Sequence, residues 1–203
     1  MPKLSQHEIR QKVLQALFNL ELIDNIQKEI DKEAKAKRES AEKLQLKLDK
    51  KQHFAKEDDF TAQIEIKDLT REVNSIKLQA DEAERFKIEA KPGAVEQFVF
   101  SYQEELSDED EIVELPAFFT ELLEGVEAYQ EELDAKIEQY LAKGWSLERL
   151  TNVERCVLRI GAYEMLKTDI SKKIALDEAI ELAKDFSDET SGKFVNGLLK
   201  NLI

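Results

Sequence analysis

Apolar residues recur at helical intervals through most of the chain, and their register changes from segment to segment. Near the start, Ile9, Val13, Ala16, Leu17, Leu20 and Ile23 share one helical face. Ser5 and Glu8 have capping-box spacing, which predicts a helix beginning near Gln6. Between 26 and 91 there is no Gly or Pro for 66 residues. In the second half of that stretch Ala62, Ile66, Leu69, Val73, Ile76, Ala80 and Ala83 step alternately by 4 and 3. A repeat of this kind is the seam of a coiled coil. Ile30, Ala34, Lys37, Ala41, Leu44 and Leu48 repeat it less cleanly in the first half. Polar residues 53–59 separate the two, so the pattern predicts an antiparallel helical hairpin with arms of about 45 Å. Alanines and Lys37 make its seam narrow.

Pro92-Gly93 is expected to end this segment, since neither residue suits a helix interior. Phe98, Phe100 and Tyr102 mark a short apolar stretch before the acidic run 107–111. Pro116 suits a first helical turn, and Phe118, Phe119, Leu122, Leu123, Val126, Tyr129 and Leu133 form a strong stripe after it. Gly144 reads as a helix C-cap and Ser146 as the next N-cap. Thr151 with Glu154 is a second capping box, opening VERCVLRIGAYEML. Two more helices are predicted over about 175–186 and 191–202. The fold class is therefore all-α.

Charge changes the picture in one place. The net charge of the 203-residue chain is -14. The segment 96–142 holds 15 acids against the single Lys136, while the rest of the chain is balanced. Both ends are thus locally neutral, and a basic patch for phosphate is not excluded by the acidic total. The acidic segment reads as a solvated face, or as a docking surface for a basic protein. Only 6 Gly and 3 Pro argue against a β-sandwich or barrel. The single Cys156 cannot form an internal disulfide. No apolar run is long enough for a membrane span, and MPKLSQHEIRQKV lacks a signal-peptide core. A soluble, cytoplasmic protein is expected.

Catalytic chemistry is absent from the pattern. His7 and His53 lie in different segments, and no metalloprotease, CxxC, serine-hydrolase or phosphate-loop motif occurs. Asp108 and Asp110 alternate as in a calcium loop but lack the turn glycine. Cys156, beside Val153, Val157 and Ile160, reads as a buried small hydrophobe. Trp145 is expected to pack between helices. No enzyme, cofactor or metal is indicated.

A more specific signal lies in three blocks: NVERCVLRIGAYEMLK, IALDEAIELAKDFS and SGKFVNGLLKNL. Together with the opening RQKVLQALFNLEL and the middle LPAFFTELLEGVEAYQEELDAKIEQYL, they resemble the bacterial transcription antitermination factor NusB family. The resemblance covers roughly 5–26 and 94–203. It implies a body of two helical subdomains, made of 1–26 and 92–203, with 27–91 as an inserted hairpin. Family members are RNA-binding adaptors that hold boxA RNA of ribosomal RNA leaders together with the small-subunit ribosomal protein NusE. The pair helps RNA polymerase read through terminators. Carried over by position, the implied RNA-binding residues are Lys3, His7, Arg10, Ser191, Lys193 and Phe194. Cations would hold phosphates, and an exposed Phe can stack on a base. Phe194 could equally pack with Val195 and Leu198, and His7 and Arg10 could be ordinary polar residues of an amphipathic helix. The implied NusE contacts are Glu148 and Glu154, although Glu154 also has a capping role. The N-terminal helix departs from the often arginine-rich family pattern, with Gln6, His7 and Glu8 beside a single Arg10. The alternative is a coiled-coil scaffold protein whose NusB-like body binds no specific RNA.

Overall fold

A computed structural model describes residues 4–56, 59–106 and 116–203, with side chains omitted over 86–106. The described residues form α-helices and two short 3-10 turns, with no strand among them. Helix α1 runs Gln6–Phe54, α2 Phe60–Leu106, α3 Ala117–Ala128 and α4 Gln130–Glu138. Helix α5 spans Asn152–Lys167, α6 Lys172–Phe186 and α7 Glu189–Leu199. The fold is all-α.

Two units separate by their internal packing: Met1–Leu22 with Val95–Ile203, and Ile23–Ala94. In the first, α5 is the central element, with every residue from Arg155 to Met165 buried. The Leu14 and Val13 face of α1, the Phe119–Val126 face of α3 and Leu133 and Ile137 of α4 belong to the same core. Helices α6 and α7 contribute Ala175, Ala179, Leu182, Val195, Leu198 and Leu199. Gly161 permits their close approach. A Cβ there would lie 2.6 Å from Leu199 Cδ1 and 3.0 Å from Ala179 Cβ. Both capping boxes form. Glu8 N donates to Ser5 Oγ at 3.2 Å and Ser5 N to Glu8 Oε2 at 2.7 Å. Thr151 and Glu154 exchange the same bonds at the start of α5.

Arginines are built into this core. Arg155 Nε donates to Glu21 Oε1 at 2.6 Å, and Arg159 Nη1 reaches the same oxygen at 2.9 Å. Arg159 also forks onto Asp134 at 2.7 and 2.8 Å. Arg155 Nη1 donates to the carbonyls of Leu147 and Leu150 at 3.0 and 3.2 Å, tying the 3-10 turn Leu147–Arg149 to α5. Cys156 is fully buried beside them, as its apolar neighbours implied. Burial and the Glu21 carboxylate push its thiol up to about 12, against the pull of the two arginines.

Among the described residues of the second unit, the buried ones are Ala41, Leu48, Val73 and Ala80, all on the heptad seam. The flanking pairs define the arm direction. Arg38 pairs with Glu84, Lys77 Nζ donates to Gln45 Oε1 at 3.2 Å, and Lys51 pairs with Glu65. Numbers that rise along one arm fall along the other, so the arms are antiparallel. Seam residue Lys37 turns its ammonium to Glu33, 2.8 Å away on its own arm.

Three expectations change. Pro92-Gly93 does not end its helix, because α2 continues to Leu106. A proline removes one hydrogen bond and crowds one carbonyl. That cost is local, and good helix formers such as Glu89, Ala90 and Ala94 flank it. Gly144 does not cap α4, which ends at Glu138 with Gln139 as C-cap. Instead Gly144 supplies the left-handed residue (φ 87°) in the following turn. Ser146 takes the N-cap place of the 3-10 turn without a side-chain bond. The acidic run 107–111, with Asp108 and Asp110, lies outside the described residues.

Candidate nucleic-acid interface

The start of α7 is held by its own acids. Asp188 Oδ1 accepts from Thr190 N at 2.9 Å and Ser191 N at 2.8 Å. These first amides are therefore occupied and offer no open anion site. Ser191 is buried, and its Oγ lies 2.9 Å from Ser187 Oγ and donates to Glu154 Oε1 at 3.3 Å. The other Glu154 oxygen closes the α5 capping box, accepting from Thr151 N at 3.0 Å. One carboxylate thus joins the starts of α5 and α7. It is committed inside the body, while Glu148 is exposed on the 3-10 turn.

Next to this joint the surface becomes aromatic and cationic. Phe194 is half-buried against the core, and its ring centroid lies 6.5 Å from that of Trp145, tilted by 38°. Trp145 is 51% exposed. The expectation that it packs between helices is overturned: it follows the Gly144 turn and meets Phe194 with about half of its surface open. Arg149 lies over the indole, Cζ 5.4 Å from the ring centroid, and donates from Nη1 to Gly144 O at 3.0 Å. Lys193, adjacent to Phe194, is exposed, and no carboxylate among the described residues pairs with it. The result is two offset rings with a guanidinium over one and an exposed lysine next in sequence to the other. Such a surface can stack an unpaired base and hold its phosphates.

The N-terminal candidates lie elsewhere. Lys3 is outside the described residues. Arg10 is fully buried: Nε donates to Glu164 at 3.0 and 3.1 Å and Nη2 at 2.7 Å. Its Cζ stands 5.0 Å over the Phe118 ring, and Nη1 is 3.6 Å from Glu178. The reading of Arg10 as a phosphate contact is corrected, because a paired guanidinium with no exposed surface has none to offer. His7 bridges two carboxylates, Nδ1 to Glu178 at 2.8 Å and Nε2 to Asp185 at 2.9 Å. Burial disfavours its charging, but the bonds and charges of Glu178 and Asp185 outweigh that and raise its pKa above 6.5. Ser191, Lys193, Phe194 and Glu154 come together with Trp145 and Arg149, whereas His7 and Arg10 belong to an acid-paired cluster with Glu164, Glu178 and Asp185. Sequence reading missed Trp145 and Arg149 as surface groups. Their signal was a tryptophan directly after a turn glycine, off every apolar stripe. No group of three or more metal-ligating side chains occurs among the described residues, and no helix of theirs is long and apolar enough to cross a membrane.

The described residues thus form an all-helical body that carries an open aromatic–cation surface. Residues 77–203, more than half of the chain, match the NusB family model, and the chain belongs to the NusB family. The transcription antitermination protein NusB of Lactococcus lactis is 45% identical over 106 residues, 52% of this chain and 54% of that protein. The match therefore spans about half the length of that relative. Among solved structures, T. maritima NusB is 23% identical with TM-score 0.47, covering 98% of this chain and 91% of its own. A chain in the crystal structure of a plectonemic RNA supercoil is 29% identical with TM-score 0.45, covering 58% of this chain and 81% of that one.

Proposed function

We infer that this protein is a non-enzymatic RNA-binding adaptor in transcription antitermination. It acts in the cytoplasm, holding boxA RNA of ribosomal RNA leaders with NusE and supporting read-through by RNA polymerase. The carrying observation is the Trp145–Phe194 ring pair, with Arg149 over the indole and the exposed Lys193 next in sequence to Phe194. A base stacked on such a ring contributes about 1–3 kcal/mol. That energy is independent of salt, whereas the two cations supply the salt-dependent part. In this reading residues 1–26 and 92–203 form the RNA-binding body and 27–91 the inserted hairpin. Glu148, exposed on its turn, is the carboxylate left to meet a basic partner such as NusE. Membership of the NusB family, and a relative named for antitermination, support the assignment.

Titrating boxA RNA with and without NusE in a mobility-shift assay tests it. A shift with the chain alone, strengthened by NusE, is expected. Unchanged RNA mobility in both titrations would reject the reading. The formed heptad seam, a device for pairing helices, then favours the second reading, a coiled-coil scaffold without specific RNA binding.

A further inference from the structure

The hairpin carries its own concentration of unpaired cations and bare rings. Most ionic pairs on the arms are local or cross-arm, as with Arg38–Glu84, Lys37–Glu33 and Arg71–Asp68. Toward the tip Lys51 still pairs across the arms with Glu65, but its neighbours on α1 do not. Lys43, Lys47 and Lys50 step by 4 and 3 along one exposed face of α1, and no carboxylate among the described residues pairs with them. Four residues further on the same face stands Phe54, 81% exposed, and across the turn Phe60 is 78% exposed. The row from Lys43 to Phe54 covers about 16 Å of helix. Between the arms' ends lies a cleft of about 450 Å³ lined by Lys47, Lys50, Lys51, Phe54, Asp59 and Ala62. Of the described acids nearby, Asp59 Oδ1 accepts from Ala62 N at 3.0 Å, Asp49 Oδ1 accepts from Gln45 Nε2 at 2.9 Å and Glu65 pairs with Lys51, while Glu42 beside Lys43 is exposed.

Two rings this exposed are not there for the hairpin's stability, since aromatic area is normally buried. We propose that the hairpin tip is a nucleic-acid contact of its own: single-stranded RNA lays phosphates along Lys43, Lys47 and Lys50 and stacks bases on Phe54 and Phe60. A row of cations leading to two exposed rings suits a chain that carries both phosphates and bases. An acidic peptide would use the ammonium row and leave both rings in water. The contact stands on the hairpin's residues and does not require the Trp145–Phe194 surface.

The test is fluorescence anisotropy of a labelled single-stranded oligouridylate with the full-length chain, over a salt series. Phe54→Ala with Phe60→Ala should weaken binding at least tenfold, the scale of one lost stacking contact. Lys47→Gln with Lys50→Gln should lower the slope of log affinity against log salt by about 1.4, at about 0.7 per phosphate released. Trp145→Ala serves as the body control, and 4-thiouridine cross-links to the Phe54–Phe60 peptide should persist in it. Unchanged affinity and slope in the tip variants, or no binding by the unmodified chain, would overturn the proposal. So would an oligoglutamate that displaces the RNA and loses affinity in the same variants, because the surface would then recognise acidic protein. Tip variants that lose the cross-link at the Phe54–Phe60 peptide while Trp145→Ala keeps it separate this contact from the body's.

Discussion

Arg10 and Glu164, 154 positions apart, form a buried ion pair in which the guanidinium donates three hydrogen bonds to one carboxylate. Both side chains are about 1% exposed. The pair joins α1 to α5 and removes from the surface the cation that the N-terminal helix most visibly offered.

Removing Arg10 leaves Glu164 buried without its cation, and removing Glu164 leaves the buried Arg10 with only Glu178 at 3.6 Å. Arg10→Ala or Glu164→Ala should therefore destabilise the protein by about 3–5 kcal/mol. Arg10→Met with Glu164→Leu should recover much of that loss. Denaturant unfolding of the three variants measures this. Equal stability of wild type and Arg10→Ala would show that the pair contributes nothing.

His7 titrates in a direction its partners dictate. Its pKa is raised, so its bonds to Glu178 and Asp185 stabilise the fold fully below pH 6.5, the unfolded value. The contribution is lost as pH rises through the higher folded value. Asp185, hydrogen-bonded by His7 and Gln11, is held below 3.8, so its contribution is present above that pH and is lost as pH falls through the folded value. An NMR titration should place the His7 midpoint above 6.5, and Asp185→Asn should lower it. A midpoint unmoved by that change would contradict the geometry.

Recognition and stability should separate at the aromatic surface. Trp145→Ala removes a half-exposed ring, so melting should change little while boxA binding weakens about tenfold. Lys193→Ala should lower the salt slope by about 0.7. A Trp145→Ala protein that binds boxA as tightly as wild type would move the interface elsewhere.

Cys156 should be inert. With its thiol pushed up to about 12 and no exposed surface, it should resist a thiol-specific chromogenic reagent in the native protein and react in denaturant. Rapid labelling of the native protein would reveal an opening of α5.

Local signals carried much of this architecture. The capping boxes at Ser5–Glu8 and Thr151–Glu154 form because both partners lie within one turn. The seam residues Ala41, Leu48, Val73 and Ala80 are buried because a heptad needs only a matching heptad opposite. The misread residues depend on distant partners or on a single backbone torsion. Nothing near Arg10 announces Glu164, since ion pairing across 154 positions leaves no periodic trace. Trp145 looked like core because tryptophans usually are, and its exposure comes from the turn before it. The family resemblance pointed to Phe194, Lys193, Ser191 and Glu154, of which Ser191 and Glu154 are bonded to each other, while Trp145 and Arg149 emerged only from their geometry with Phe194.

Gly144 has φ 87° and no heavy atom within 4 Å of the place a Cβ would occupy. Another residue would meet no steric neighbour, yet the left-handed conformation would cost it about 1–2 kcal/mol. Relief of that strain would rotate the turn and move the indole relative to Phe194, leaving the α5 core untouched. Residue 144 is therefore a place where sequence variation would shift the Trp145 ring against Phe194 without rebuilding the protein beneath it.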